Sequence, residues 1–188
     1  MTRTFLSLTA VALLSVSTAF ANQPTTTSVI PTNYSVFKDV SKQVQNYTSF
    51  TVFDDVSLSV DDGVVVLSGK VTMPFKKDDI ERRVSRVSGV RQVVNQIDVL
   101  PVSQFDEELR YRIARAIYGN PNFWHYGSMA NPPIHIVVER GHVRLSGVVQ
   151  NEVERMQARS LATSFGAFSV KNDLKTDAEM EQVLETLK

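Results

Sequence analysis

The chain repeats the stretch Val60-Asp61-Asp62-Gly63-Val64-Val65-Val66-Leu67-Ser68-Gly69-Lys70-Val71 as Val138-Glu139-Arg140-Gly141-His142-Val143-Arg144-Leu145-Ser146-Gly147-Val148-Val149. The identical positions include Gly63, Leu67, Ser68, Gly69 and Val71, which recur at an offset of 141 − 63 = 78 residues. Turn glycines and apolar positions are repeated, but no set of reactive side chains is repeated with them. The pattern predicts a duplicated binding scaffold rather than a duplicated active site.

Each copy has the pattern of a β-hairpin with a two-residue turn. Asp62-Gly63 is a hairpin signal because glycine, and less readily aspartate, tolerates the positive φ of such turns, and Arg140-Gly141 occupies the same place. Folding each copy about its turn puts one set of apolar side chains on a single face: Val56, Leu58, Val60, Val65 and Leu67 in the first, and Ile134, Ile136, Val138, Val143 and Leu145 in the second. Two stretches therefore predict the same register, with Glu139 opposite His142.

Helical patterns flank each hairpin, and a closing strand ends each copy. The clearest apolar stripes are those of the second copy: Leu109, Ile113, Ala116 and Ile117 before the hairpin, and Ala158, Leu161, Ala162 and Phe165 after it. Asn151 with Glu154 three residues later is a helix start signal. We predict an α+β fold of two tandem αββαβ units, each a small mixed three-stranded sheet with two helices on one face.

The predicted units are unit 1, residues 33–100, and unit 2, residues 101–175, followed by a C-terminal tail, 176–188, that can form a short helix. A domain of about 60 residues buries only ~60% of the surface that its unfolded chain exposes, which makes it marginally stable. We therefore expect the two units to pack against each other. The outer sheet face of unit 1 carries Val64 and Val66 beside Ser57 and Ser59. This face is the expected contact, although exposed valines on a strand are also common.

The first 21 residues have the pattern of a cleavable secretory signal. Arg3 precedes an apolar run from Phe5 to Val16, and a small-x-small ending closes at Ala21. Residues 22–32 are predicted to be a flexible leader. The absence of cysteine excludes disulfides, thiolate catalysis and a lipidated cysteine. We expect an exported protein of the periplasm, or a secreted one, with no transmembrane segment in the mature chain.

Charge is balanced, with 20 basic and 20 acidic residues. Nucleic-acid-binding domains are usually basic because neutralising phosphates supplies most of their affinity. The composition therefore argues against a nucleic-acid partner, and an anionic ligand would have to meet a local patch of cations.

The pattern strand-x-x-Gly-x-Val-x-Leu-x-Gly-x-Val, then helix, then Gly-Val-x-x-Val-x-Asn-x-Ile resembles the BON-domain family. The residues that carry the resemblance are Gly63, Val65, Leu67, Gly69, Val71, Gly89, Val90, Val93, Asn95 and Ile97 in one copy, and Gly141, Val143, Leu145, Gly147, Val149, Phe168, Val170, Asn172 and Leu174 in the other. The resemblance implies an αββαβ fold, residence in the bacterial envelope and no known catalytic activity. Relatives include osmotically inducible periplasmic proteins and outer-membrane lipoproteins, some of which bind anionic phospholipid through a surface on the second copy. The chain departs from the pattern at Ala167-Phe168, where the usual glycine is missing.

An aromatic and basic segment in unit 2 is the candidate lipid- or partner-binding surface. A helical step of 100° puts Tyr111, Arg115 and Tyr118 opposite the apolar stripe, and Phe123, Trp124 and Tyr126 follow at once. Amphipathic aromatics beside a cation suit the lipid interface. The alternatives are that Phe123 and Trp124 close the core of unit 2, and that the helix face is an ordinary solvated one with Glu108 near Arg115.

Other groups of residues give weaker signals. A basic set in unit 1 could attract phosphate, although acidic residues are interspersed: Lys76, Lys77, Arg82, Arg83 and Arg86. His135 and His142 are separated by roughly 14 Å along the sheet at ~3.4 Å per residue, too far to ligate one ion. We find no catalytic motif. The sequence predicts no catalytic residue, no metal site and no cofactor.

The sequence therefore predicts a non-enzymatic envelope binding protein. Its expected partner is a phospholipid membrane surface or an envelope protein, with a role in envelope maintenance or stress. The alternative is a chaperone-like module that meets apolar segments of exported clients. An enzyme or metal protein that uses His125, His135 or His142 is a third and weaker class.

Overall fold

The computed structural model describes residues 32–186, and each copy of the repeat forms its own three-stranded sheet. The elements of unit 1 are α1 (Asn33–Gln45), β1 (Asp55–Asp61), β2 (Val64–Val71), α2 (Pro74–Val84) and β3 (Gln92–Val99). β1 and β2 are antiparallel, and β2 and β3 are parallel. The predicted signal peptide and most of the predicted leader lie outside the described residues.

Unit 2 repeats this order and adds one turn of helix. Its elements are α3 (Gln104–Tyr118), α4 (Trp124–Gly127), β4 (Ile134–Glu139), β5 (His142–Val149), α5 (Glu152–Thr163) and β6 (Ser169–Thr176). A further helix, α6 (Asp177–Thr186), follows β6 directly. The predicted α+β fold of two tandem units with mixed sheets is confirmed.

The hairpin turns have the predicted geometry. The two central residues of each turn have positive φ: Asp62 at 44° and Gly63 at 73°, Arg140 at 51° and Gly141 at 76°. Positive φ at both positions is the type I′ turn, whose twist matches that of the flanking strands. The register is the predicted one, since Glu139 lies opposite His142 and Ile136 opposite Leu145.

Each unit buries one face of its sheet under two helices. In unit 1 the core side chains are Val36, Val40, Val44, Tyr47, Val65, Leu67, Val71, Ile80, Val84 and Ile97. In unit 2 they include Leu109, Ile113, Ile117, Ile134, Ile136, Val138, Leu145, Ala158, Ala162 and Leu174. The predicted start of α5 is also present, because the Asn151 side chain accepts a hydrogen bond from the Glu154 amide at 3.0 Å.

The two units meet through the segment that leads into β1. The amide of Ile136, on the edge strand β4, donates to the Val52 carbonyl at 2.6 Å. Phe53 packs against the core of unit 2, and the Phe50 ring lies 5.4 Å from the His135 ring. An exposed strand edge pairs readily with other chains, so this contact also protects β4.

The outer sheet face of unit 1 takes part in this contact only at one end. Lys70 bonds Glu139 at 2.6 Å, and Asp55, its cross-strand partner, lies 3.9 Å from Arg144. The expectation that Val64 and Val66 form the contact is wrong. They lie toward the opposite, hairpin end of β2, where they remain half-exposed. A short backbone and aromatic contact, flanked by ion pairs, holds the units together instead.

Candidate functional site

Helix α3 is attached to the hairpin of unit 2 by two buried polar side chains. The carboxylate of Asp106 accepts hydrogen bonds from the amides of Arg140 and Gly141, at 2.8 and 2.7 Å. One turn later, Arg110 donates to the Val138 carbonyl at 2.7 Å. These bonds orient α3, so the face it turns to solvent is defined by the fold.

That outward face carries Tyr111 and Arg115. The Tyr111 side chain is 56% exposed, and its ring makes an edge contact with Phe53 of unit 1 at 5.1 Å. Glu108 pairs with Arg112 at 2.8 Å and not with Arg115. Within residues 32–186, Arg115 therefore has no ion-pair partner, and its charge is available to a ligand.

A shallow groove of about 480 Å³ runs along this face of α3. Its walls combine aromatic and apolar surface with two guanidinium groups and one carboxylate: Glu108, Tyr111, Arg112, Arg115, Ala116 and Phe165. Phe165 comes from the turn after α5, so the groove exists only in the folded unit. An apolar floor with cations at its rim suits an amphipathic anion.

Tyr118 is partly withdrawn from this surface. Its ring is half-buried against the core of unit 2, and its hydroxyl donates a hydrogen bond to the Ile134 carbonyl. Burial raises the pKa of the Tyr118 hydroxyl above its ordinary value. This side chain therefore supports the junction of α3 and β4 rather than offering a free phenol.

Phe123 and Tyr126 belong to the core and not to a contact surface. Phe123 is fully buried, and the Tyr126 hydroxyl donates to Glu154 at 2.6 Å and accepts from the Gln150 amide at 2.9 Å. The segment after α3 is held against the first half of α5, where Asn122 also bonds Gln157 at 3.0 Å. The candidate binding surface therefore does not include Phe123 and Tyr126.

Trp124 behaves in the opposite way, since its side chain is 68% exposed. It begins α4, after Phe123, which packs in the core, and two residues before Tyr126, whose hydroxyl bonds inward to Glu154. Of the two alternatives for this segment, core closure and surface contact, each thus applies to one of two adjacent residues. Phe123 closes the core, and Trp124 faces solvent.

An aromatic cluster at the hairpin end of unit 2 was missed by the sequence analysis. Phe168 is 73% exposed, stacks on Phe105 with ring centres 6.2 Å apart, and contacts the His142 ring at 5.9 Å. Its amide donates to the Gly141 carbonyl at 2.8 Å, as that of Arg91 donates to Gly63 in unit 1. Phe168 therefore corresponds to Arg91, and Gly166, with φ of +77°, corresponds to Gly89, with φ of +89°. The expectation that the usual glycine is missing at Ala167-Phe168 is wrong, and the signal for this cluster was a phenylalanine in place of an arginine.

Lys76 does not belong to the predicted basic patch. It is buried and forms an ion pair with the fully buried Asp54 at 2.6 Å, and it also donates to the Thr72 hydroxyl. Helix periodicity puts Lys76 on the same side as Ile80, which is why it faces inward. The remaining basic residues of this set are not drawn into the core.

The histidines do not assemble a metal site in the part of the chain that the structure describes, where no group of three His, Cys, Asp or Glu side chains could hold an ion. His142 bonds the Ser169 hydroxyl at 2.8 Å. His135 lies at the contact between the units, where burial lowers the pKa of its imidazole and the Asp55 carboxylate opposes that effect. Among residues 32–186, no helix is long and apolar enough to span a bilayer.

Comparison with known proteins agrees with the repeat. A family model described as BON domain matches residues 38–101 and, separately, residues 106–178. No curated protein matches the chain.

Two solved structures are similar over most of their length. One is the C-terminal domain of CdsD, the structural protein of the Type III secretion system of Chlamydia trachomatis, with 13% identity, a TM-score of 0.28, and coverage of 75% of this chain and 96% of that chain. The other is also CdsD, a structural protein of the same secretion system, with 14% identity, a TM-score of 0.27, and coverage of 80% and 97%. These TM-scores are too low to bear on function.

Proposed function

Because the chain belongs to the BON-domain family through both of its units, we propose that it is a periplasmic, non-enzymatic protein that binds phospholipid headgroups through unit 2. BON domains are associated with the bacterial envelope and are in general non-catalytic. The observation that carries the proposal is the unpaired Arg115, which lines one groove with the exposed Tyr111. The exposed ring of Trp124, from the short helix that follows α3, adds a second aromatic group to unit 2.

These side chains have complementary roles at a membrane surface. Tyrosine and tryptophan rings lie at the level of the headgroups because each has an apolar body and a polar group. A cation within the Debye length of an anionic leaflet contributes about 1 kcal/mol. A few interfacial side chains give a modest binding energy, so binding through this surface alone is reversible.

Vesicle flotation tests this proposal. We expect the protein to float with vesicles that contain phosphatidylglycerol and to remain behind with vesicles of phosphatidylcholine alone. Arg115→Gln should weaken binding about fivefold, the effect of one interfacial cation. Trp124→Ala should weaken it by a similar factor, and 1 M salt, where the Debye length is ~3 Å, should remove the contribution of Arg115.

Two matched variants control for surface changes elsewhere. Phe75→Ala removes an exposed ring from unit 1, and Arg159→Gln removes an exposed cation from α5. Both should float like the unaltered protein. If neither kind of vesicle is bound at low salt, or if the control variants weaken flotation equally, this surface does not bind lipid.

A chaperone-like interaction with apolar segments of exported clients is the second candidate, favoured by the exposed Phe105 and Phe168 stack. We expect the protein to slow aggregation of reduced lysozyme, and Phe168→Arg, which introduces the residue type of Arg91 in unit 1, to abolish most of that effect. Because apolar contacts are not screened, 1 M sodium chloride should not weaken the protection. Equal protection by Phe168→Arg would count against a role of this cluster.

A further inference from the structure

A second groove with a different chemistry lies between α1 and α2 of unit 1. It has a volume of about 780 Å³, within the range of small-molecule sites. Four cations line it, together with two carboxylates and three uncharged residues: Lys42, Arg82, Arg83, Arg86, Asp39, Asp79, Gln43, Val87 and Ser88. The charge of the whole chain is balanced, so this is a local excess of positive charge.

Some of the charged side chains in this groove already have partners within unit 1. Asp79 accepts a hydrogen bond from the Tyr47 hydroxyl at 2.7 Å and also pairs with Arg82. The Arg83 guanidinium lies 4.9 Å from the centre of the Tyr47 ring, which orients it. Among the described residues, neither Lys42 nor Arg86 has a side-chain hydrogen bond or an ion pair.

The negative ends of two helix dipoles lie near some of these cations and offset part of their charge. Lys42 lies in the last turn of α1, and Arg82 and Arg83 lie in the last turn of α2. Each helix C-terminus is equivalent to about −0.5 of a charge. Two such ends and two carboxylates offset about three of the four cations. Arg86 lies beyond the end of α2 and is the surplus.

We propose that the groove between α1 and α2 binds a compact anion through its phosphoryl group. Arginine presents a planar set of donors that matches the oxygens of a phosphoryl group, and three arginines with one lysine line this groove. The polar lining selects against an apolar ligand. The groove is distinct from the surface of Tyr111, Arg115 and Trp124, because it is built entirely from unit 1.

The phosphoryl group can come from a soluble compound or from a lipid headgroup. We therefore specify a titration of the purified, ¹⁵N-labelled protein with pyrophosphate and, in a second arm, with phosphatidylglycerol vesicles. We expect saturable amide shifts, or broadening in the vesicle arm, for residues 42–43 and 82–88. The double variant Lys42→Gln/Arg86→Gln should weaken binding of pyrophosphate by about tenfold or more.

The control variant Arg159→Gln/Lys175→Gln removes one exposed arginine and one exposed lysine from unit 2 and should bind pyrophosphate normally. A response to vesicles alone identifies a headgroup, and a response to pyrophosphate identifies a soluble ligand. Trp124→Ala should leave the pyrophosphate titration unchanged, so loss of vesicle flotation does not affect this inference. Absence of both responses, shifts reproduced by sodium chloride at equal ionic strength, or equal weakening in the control variant would overturn it.

Discussion

Replacing Lys76 with methionine is expected to lower the free energy of unfolding by about 3 kcal/mol, because it leaves the carboxylate of Asp54 buried without its ionic partner. Methionine keeps most of the aliphatic volume of lysine, so the loss reports the charge and not a cavity. The measurement is urea unfolding at pH 7, followed by circular dichroism. Lys77→Met changes the adjacent, half-exposed lysine and should have little effect.

The effect of Lys76→Met should depend on pH in a defined direction. Desolvation alone would raise the pKa of Asp54, but hydrogen bonds from Lys76, Thr72 and Thr51 together outweigh it and hold the pKa below its ordinary value of 3.8. A carboxylate with a lowered pKa stabilises the folded state above the unfolded pKa and loses that contribution as pH falls through the folded pKa.

The stability of the unaltered protein should therefore decline below about pH 4, and its advantage over the Lys76→Met protein should narrow there. An advantage that is constant from pH 7 to pH 3 would mean that Lys76 acts through packing. Equal losses for the changes at Lys76 and Lys77 would contradict the role of the buried ion pair altogether.

Replacing Gly147 with alanine is expected to destabilise unit 2 by about 3 kcal/mol or more. Gly147 has φ of +113°, a conformation that costs other residues about 1–3 kcal/mol. A Cβ atom there would lie 1.8 Å from the Pro133 carbonyl oxygen, so the edge strand β4 would have to shift as well. Chemical unfolding by urea measures the loss.

Gly166→Ala separates the two causes of this effect. Gly166 also has positive φ, at +77°, but a Cβ atom at that position meets nothing within 4 Å. It should therefore show only the backbone strain, about 1 kcal/mol. If both variants lose the same free energy, the close approach of Pro133 to Gly147 does not contribute.

The repeated glycines show why part of the fold could be predicted. Gly69 and Gly147 recur at the same place, and in both units the backbone of β1 or β4 passes too close for a side chain. Hairpin register follows from the alternation of apolar residues and from the turn, both of which are local. These features are encoded within about fifteen residues, so they can be read from a single chain.

The candidate surface was predicted only in part, because burial depends on what covers a residue. Helical periodicity correctly placed Tyr111 and Arg115 on the outer face of α3. It could not distinguish the buried Phe123 from the exposed Trp124, because the two residues are adjacent and follow α3 in a segment without helical periodicity. Phe168 was missed as a surface residue because only the folding of unit 2 brings it beside Phe105, which lies in α3.

By itself, the amino-acid sequence determined the duplicated sheet, its register and the helices that cover one face of it, since these depend on short-range periodicity and on turn conformation. Only the tertiary structure decided that Lys76 is buried against Asp54 and that the units meet through residues 50–55. It alone brought the cations of α1 and α2 into one groove. Such contacts join residues that are distant along the chain, and their energies depend on burial and geometry that no local pattern contains.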